Sequence, residues 1–241
     1  MNSARLYCIL DLGYTPEENA ESVTQSLLNG GAHLLQLRAK GHDLDTIRRV
    51  AEKLLPLCRA AGVPFILNDY PALALEIGTD GVHLGQDDGP LPSERGIHSG
   101  LHSFIHSSPS GPRDSSRPSF IHSSSSSPLP RPFLIGRSTH SLAQARAALE
   151  EGFDYIGFGP LFPTPTKAGR PANGLQDIAI MENEVGSKIP AFCIGGITRE
   201  TLPQVLAAGA RRVVIVSDLL TAPDIQAATR QCVESLPMLS K

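Results

Sequence analysis

Along the chain, short apolar runs of strand length alternate with longer stretches in which apolar residues recur at helical spacing, and turn residues separate the two. That order is expected of βα units, in which parallel strands are covered by helices. The runs that read as strands are Leu6 to Leu12, Leu34 to Leu37, Pro64 to Leu67, Gly81 to Leu84, Phe133 to Arg137, Tyr155 to Phe158, Ala191 to Ile194 and Arg212 to Val216. Eight units in 241 residues predict one closed (β/α)8 barrel, a TIM barrel, with 1–241 as a single domain. The helices carry their own punctuation. Asp43 stands as an N-cap before Leu44, Ile47, Val50, Ala51, Leu54 and Leu55, and Ala60-Ala61-Gly62 supplies the stop. Ser141 opens a helix from Leu142 to Glu151 that Gly152 ends, and Thr198 opens one running through Ala208 to Gly209.

One segment breaks the pattern. From Gly96 to Pro130 the chain is dominated by Ser, Pro and His, and Ser103-Phe104-Ile105-His106-Ser107-Ser108 returns as Ser119-Phe120-Ile121-His122-Ser123-Ser124. Such a composition cannot bury enough apolar surface to offset ordering entropy, so 96–130 reads as a disordered low-complexity insertion between strands four and five. His98, His102 and His106 would share a face only in a helix, which their Ser, Gly and Pro neighbours disfavour. A formal charge of -3 offers no electrostatic footprint for nucleic acid or an anionic membrane, so the expected partners are small molecules. Cys8, Cys58, Cys193 and Cys232 form no CxxC pair and read as buried, reduced thiols, which predicts a cytoplasmic setting. No apolar run approaches the roughly 20 residues of a membrane span, and a secretory leader pattern is not evident.

In such a barrel the reactive groups gather where strands end. Here those places read Gln36-Leu37-Arg38-Ala39-Lys40, Asn68-Asp69, Gly85-Gln86-Asp87-Asp88, Ser138-Thr139-His140, Thr164-Pro165-Thr166-Lys167, Gly195-Gly196-Ile197 and Val216-Ser217. Arg38, Lys40 and Lys167 supply positive charge, and Ser138, Thr164 and Thr166 supply hydroxyl donors, which suits a polyphosphate. Asp69, with Asp87 or Asp88 from the next strand, can share a magnesium ion that also binds phosphate oxygens. Gly195-Gly196 and Ser217 suit a backbone cup for a second, single phosphate. The bland alternatives are a capping role for Asp87 and Asp88, a tight turn at Gly195-Gly196, and a satisfied interior histidine at His83.

Taken in order, these motifs, with Gly81-Val82-His83-Leu84, Gly136-Arg137-Ser138-Thr139-His140 and Gly157-Phe158-Gly159-Pro160-Leu161-Phe162-Pro163, resemble the thiamine-phosphate synthase family. The resemblance implies a homodimeric TIM-barrel transferase that condenses a phosphorylated pyrimidine, 4-amino-2-methyl-5-hydroxymethylpyrimidine diphosphate, with thiazole phosphate and releases pyrophosphate. It further implies that Gln36, Arg38, Lys40, Asn68, Ser138 and Lys167 bind the pyrimidine diphosphate, that Asp69 and Asp88 hold Mg2+, and that Thr164, Thr166, Gly196, Val216 and Ser217 bind the thiazole phosphate. Arg38, Lys40, Ser138 and Lys167 are the catalytic set it implies. Arg137-Ser138-Thr139-His140-Ser141 also resembles the related thiazole tautomerase, an isomerase, and a catalytically inert barrel that binds thiamine precursors is the third reading.

Overall fold

The computed structural model describes residues 1–86, 88, 133–163 and 172–239. Parallel strands β1 (Leu6–Asp11), β2 (Leu34–Arg38), β3 (Phe65–Asn68), β4 (Gly81–Leu84), β5 (Leu134–Thr139), β6 (Tyr155–Phe158), β7 (Ala191–Cys193) and β8 (Val213–Ile215) close into a barrel in chain order. The expected strands are all present. The closing pair sets Leu6, Tyr7 and Cys8 beside Val213, Val214 and Ile215.

The two-residue period of each strand sorts its side chains into two cores. Leu6, Cys8, Leu10, Leu35, Leu37, Phe65, Leu67, Val82, Ile156 and Phe158 point outward beneath the helices. Tyr7, Ile9, Leu34, Ile66, Tyr155, Phe192 and Val214 fill the interior. Both faces are therefore apolar over most of their length, which is why the strands read as short continuous runs. Inside, Tyr7, Tyr155 and Phe192 meet edge to face, with ring centroids 5.3 to 6.1 Å apart. Gly136 on β5 makes room for this cluster, because a Cβ there would collide with the Tyr155 ring.

The helices are α1 (Ala20–Asn29), α2 (Leu44–Ala61), α3 (Pro71–Ile77), α4 (Leu142–Glu151), α5 (Ile178–Met181, continued by a π turn over Glu182–Gly186), α6 (Leu202–Ala207), α7 (Ser217–Leu220) and α8 (Ile225–Ser235). Asp43 caps α2 by accepting from the Thr46 amide at 2.7 Å, and Gly62 ends it in the left-handed conformation. Helix α2 buries Ile47, Val50, Ala51, Leu54, Leu55 and Cys58, while Leu44 in its first turn stays exposed. The Ile, Val and Leu side chains contribute about 2 kcal/mol apiece. Ser141 caps α4 through the Gln144 amide, as expected.

The helix expected from Thr198 begins later, at Leu202. Thr198 and Thr201 instead bind each other's amides through their hydroxyls, at 3.1 and 2.9 Å. The Leu202 amide already donates to the Thr198 carbonyl at 2.8 Å, but Pro203 has no N–H to give the Arg199 carbonyl, so the α ladder is interrupted there and becomes continuous only beyond it. Near the bottom of the barrel, Arg5 Nη1 donates to the Leu236 carbonyl at 2.7 Å, and Arg212 Nη2 to that of Asn2 at 3.1 Å. All four cysteines are buried and unpaired. Burial pushes the Cys58 thiol up to about 12 and the Cys232 thiol up to about 11. Among the described residues no helix is long and apolar enough to cross a membrane. The segment 96–130 lies outside the described residues.

Candidate active site

At the C-terminal end of the barrel the strands open onto a cavity lined by Gln36 and Arg38 of β2, Asn68 of β3, His83 of β4 and Ser138 of β5. Gly195, Gly196, Val216 and Ser217, after β7 and β8, line its other side, with Tyr7, Ile9, Ile194 and Val214 as apolar wall. It encloses about 900 Å3 of empty space, with the open mouth included. Strand parity explains the convergence: Gln36 and Arg38 alternate with the outward Leu35 and Leu37, and Asn68 and His83 hold the matching inward positions. Of the residues expected at the site, Gln36, Arg38, Asn68, Ser138, Gly196, Val216 and Ser217 come together here. Lys40, Asp69 and Asp88 stand just past the ends of β2, β3 and β4, outside the lining. Thr164, Thr166 and Lys167 lie outside the described residues.

Arg38 is not a loose surface cation. Its Nη1 forms a very short ion pair with Asp11 Oδ2, and the two residues face each other in the β1–β2 register. Asp11 is 2 % exposed, and its other oxygen accepts from the Gly13 amide at 2.9 Å. The carboxylate therefore fixes where the guanidinium points. Lys40 Nζ lies 4.0 Å from Asp69 Oδ2, a partly exposed and weak pair. Asp69 adopts a positive φ of 68°, a conformation aspartate tolerates better than most residues, and its amide donates to the His83 carbonyl at 3.0 Å. Asp88 Oδ2 accepts from the Gly85 amide at 2.6 Å. Among the described residues no group of three or more His, Cys, Asp or Glu side chains forms a metal cage. Two carboxylates past adjacent strands instead suit a hard cation that completes its shell with water and phosphate oxygens, as magnesium does.

Below the cavity a hydrogen-bonded row crosses the barrel interior. Gln36 Nε2 donates to the Tyr7 hydroxyl at 2.5 Å, the Tyr7 and Tyr155 hydroxyls are hydrogen-bonded at 3.2 Å, and Tyr155 meets His83 Nδ1 at 3.3 Å. His83 Nε2 then lies 3.0 Å from Ser138 Oγ. Burial pushes both phenols well above their ordinary pKa, so they act as neutral donors and acceptors. Gln86 holds β5 from the other side, donating to the Ser138 carbonyl while Arg137 Nη2 donates to the Gln86 carbonyl at 3.1 Å. His140 also lines the cavity, with Nδ1 on the Gly159 carbonyl, an acceptor that places the ring proton on that nitrogen.

The opposite wall is built mostly from backbone. Gly195 and Gly196 have φ of 99° and 66°. A Cβ on Gly196 would lie 2.7 Å from Phe162 Cβ, and one on Gly195 would strike Pro160. The pair thus lets the loop after β6 close over the end of β7, where Leu161 and Phe162 donate to the Ile194 and Gly195 carbonyls at 2.9 and 3.0 Å. Asp218 Oδ2 accepts from Arg199 Nε at 2.9 Å and from its amide at 3.1 Å, tying the loop after β7 to α7. Tyr7, Asp11 and Tyr155 were missed by sequence reasoning, and His83 lines the cavity as well as being satisfied. Their inward parity was the available signal, masked because Tyr7 and Tyr155 also serve as core.

Comparisons with known proteins agree with this picture. Residues 6–102 and 123–219 match the family model described as thiamine monophosphate synthase. The thiamine-phosphate synthase of Thermus thermophilus is 40% identical over 213 residues, covering 88% of this chain and 87% of its own length. That of Shouchella clausii is 31% identical over 241 residues, with both chains fully covered. Among solved structures, a thiamine phosphate pyrophosphorylase from Pyrococcus furiosus matches with a TM-score of 0.73 at 27% identity, over 97% of this chain and 95% of that one.

Proposed function

The chain belongs to the thiamine monophosphate synthase family, and we propose that it joins 4-amino-2-methyl-5-hydroxymethylpyrimidine diphosphate to 4-methyl-5-(2-phosphooxyethyl)thiazole, giving thiamine phosphate and pyrophosphate. The observation that carries this reading is one cavity in which Gln36, Arg38, Asn68 and Ser138 face Gly196, Val216 and Ser217. That arrangement suits a diphosphate on one side and a monophosphate on the other.

The bond from the pyrimidine methylene to oxygen breaks with both electrons leaving on the diphosphate. The thiazole nitrogen lone pair then forms the new carbon–nitrogen bond, and no protein nucleophile is needed. Arg38, Lys40 and Lys167 meet the charge that develops on the leaving group, and Ser138 donates to it. Gln36 and Asn68 orient the pyrimidine, while Thr164 and Thr166 join Gly196, Val216 and Ser217 around the thiazole phosphate. Ile9, Ile194 and Val214 give the cavity an apolar wall that keeps water from the cationic methylene. Asp69 and Asp88 are the residues that would hold Mg2+, which when bound neutralises diphosphate charge.

The tautomerase alternative draws less support, since a proton shift within a thiazole gives Arg38, Asp69 and Asp88 no diphosphate to act on. Four buried, unpaired thiols support a cytoplasmic setting, and the homodimer implied by the family completes the reading. The test is an assay of purified protein with both substrates and Mg2+, following thiamine phosphate as its fluorescent oxidation product. Magnesium-dependent product that EDTA abolishes is the expected result. A folded protein that forms no thiamine phosphate leaves the tautomerase and inert-barrel readings, which a thiazole tautomerisation assay then separates.

A further inference from the structure

Resting on that synthase reading, we propose that Tyr7, Tyr155 and His83 are positioning residues whose hydrogen-bonded row ties the amide orientation of Gln36 to the hydroxyl orientation of Ser138. The cavity then offers an acceptor to the aminopyrimidine and a donor to the diphosphate at the same time. The row runs through five side chains from five strands: Gln36 of β2, Tyr7 of β1, Tyr155 of β6, His83 of β4 and Ser138 of β5.

Each hydroxyl in the row has one proton, and a neutral imidazole has one N–H. The links therefore cannot be set independently. If the Gln36 amide nitrogen donates to Tyr7, the Tyr7 proton goes to Tyr155 and the Tyr155 proton to His83 Nδ1. His83 then carries its proton on Nε2 and donates to Ser138 Oγ, leaving the serine proton for a ligand and Gln36 Oε1 facing the cavity. Reversing the row gives the opposite pair of ends: an amide nitrogen toward the ligand and a serine whose proton is spent on His83.

The substrate selects between the two. An exocyclic amine donates, so it pairs with Gln36 Oε1 and not with the amide nitrogen. A diphosphate oxygen accepts, so it pairs with a Ser138 hydroxyl whose proton is available. Both ends fit in the first arrangement and both fail in the second. Burial enforces the coupling, because Tyr7 and Tyr155 are 2 % and 0 % exposed and an orphaned hydroxyl there is costly. Tyr155 does not line the cavity, so its hydroxyl acts only through its neighbours.

Tyr155→Phe cuts the row at its middle while keeping the ring that packs on Tyr7 and Phe192. Calorimetric binding of the pyrimidine diphosphate is expected to weaken about tenfold in Tyr155→Phe, with a melting temperature lowered by a few degrees. In a Ser138→Ala background the same substitution should cost distinctly less than in the wild type, because one of the two ends the row sets is already gone and only the Gln36 end remains to be lost. Histidine 15N spectra, assigned with His83→Gln, should place the His83 proton on Nε2 in the ligand-bound wild type. Equal losses in both backgrounds, as a purely structural role predicts, overturn the proposal, and so does an Nδ1–H tautomer. If Tyr155→Phe does not fold, Tyr7→Phe cuts the row one link earlier and is read by the same cycle. A wild type that binds the diphosphate with this coupling yet forms no thiamine phosphate defeats the synthase reading and leaves the row standing.

Discussion

Asp11 and Arg38 face one another at the rim of the cavity, and the buried carboxylate sets the direction of the guanidinium. Asp11→Asn keeps the shape and removes the charge. It is expected to lower kcat/KM for the pyrimidine diphosphate by about 10- to 100-fold through misplacement of Arg38. A rise in kcat/KM would mean that Asp11 only neutralises Arg38, and steady-state kinetics decide between the two. Asp69 needs a different replacement, because alanine at its φ of 68° adds strain unrelated to metal. Asp69→Asn and Asp88→Asn should each lower turnover by more than about 100-fold and raise the Mg2+ concentration for half-activity, with melting temperature little changed. Unaltered magnesium dependence in both variants removes them as ligands. Arg38, Asn68 and Ser138 were legible because polar residues at strand ends stand out against apolar runs. Asp11 was not, since one acidic residue closing β1 looks like an ordinary strand end until its partner across the register is known.

Among the elements, the strands were legible almost to the residue, because a barrel strand is apolar on both faces and its ends are sharp in the sequence. Helix α6 was less so, since Thr198 caps a first turn as expected while Pro203 breaks the ladder just after it. The tie from Asp218 to Arg199 joins the loop after β7 to α7, two elements that sequence shows only as separate turns. Asp218→Ala should raise KM for thiazole phosphate several-fold and leave KM for the pyrimidine diphosphate unchanged, as initial-rate kinetics with each substrate varied will show. The π turn that ends α5 carries a different liability. Glu182 is 2 % exposed, and its Oε2 has no hydrogen-bond partner among the described residues, with Arg211 Nε 3.9 Å away. Burial pushes its carboxyl pKa up, with the Arg211 amide bond pulling the other way. A raised folded-state pKa means that the native state keeps the proton longer than the unfolded chain. This contribution to stability is present below the ordinary glutamate pKa of about 4.3 and is lost as pH rises through the folded value. Glu182→Gln should therefore gain in melting temperature relative to the wild type as melts move from pH 4 to pH 7. A constant difference across that range shows that Glu182 titrates normally.

For the whole molecule, the repeat of βα units made the closed barrel readable, and the low-complexity composition of 96–130 marked where that repeat is interrupted. The β4–β5 pairing is nevertheless in register, Gly81 to Leu84 against Leu134 to Arg137. Extra loop length costs only about 0.6 kcal/mol per doubling. Replacing 96–130 by a short linker is therefore expected to keep soluble protein and to leave kcat within about twofold, and the yield and assay of that deletion check it. Loss of soluble protein would make the segment a structural part of the barrel.

The position of that interruption divides the molecule in half. Four strands precede it and four follow. The first half brings Gln36, Arg38, Asn68, Asp69 and Asp88, and the second brings Ser138, Gly196, Val216 and Ser217. Neither half-barrel owns a complete site, and the row from Gln36 to Ser138 crosses the seam between them three times. Catalysis thus doubles as a report on assembly. A nick in that seam would sever no strand pairing within either half, leaving two complementary pieces that regain chemistry only by finding each other.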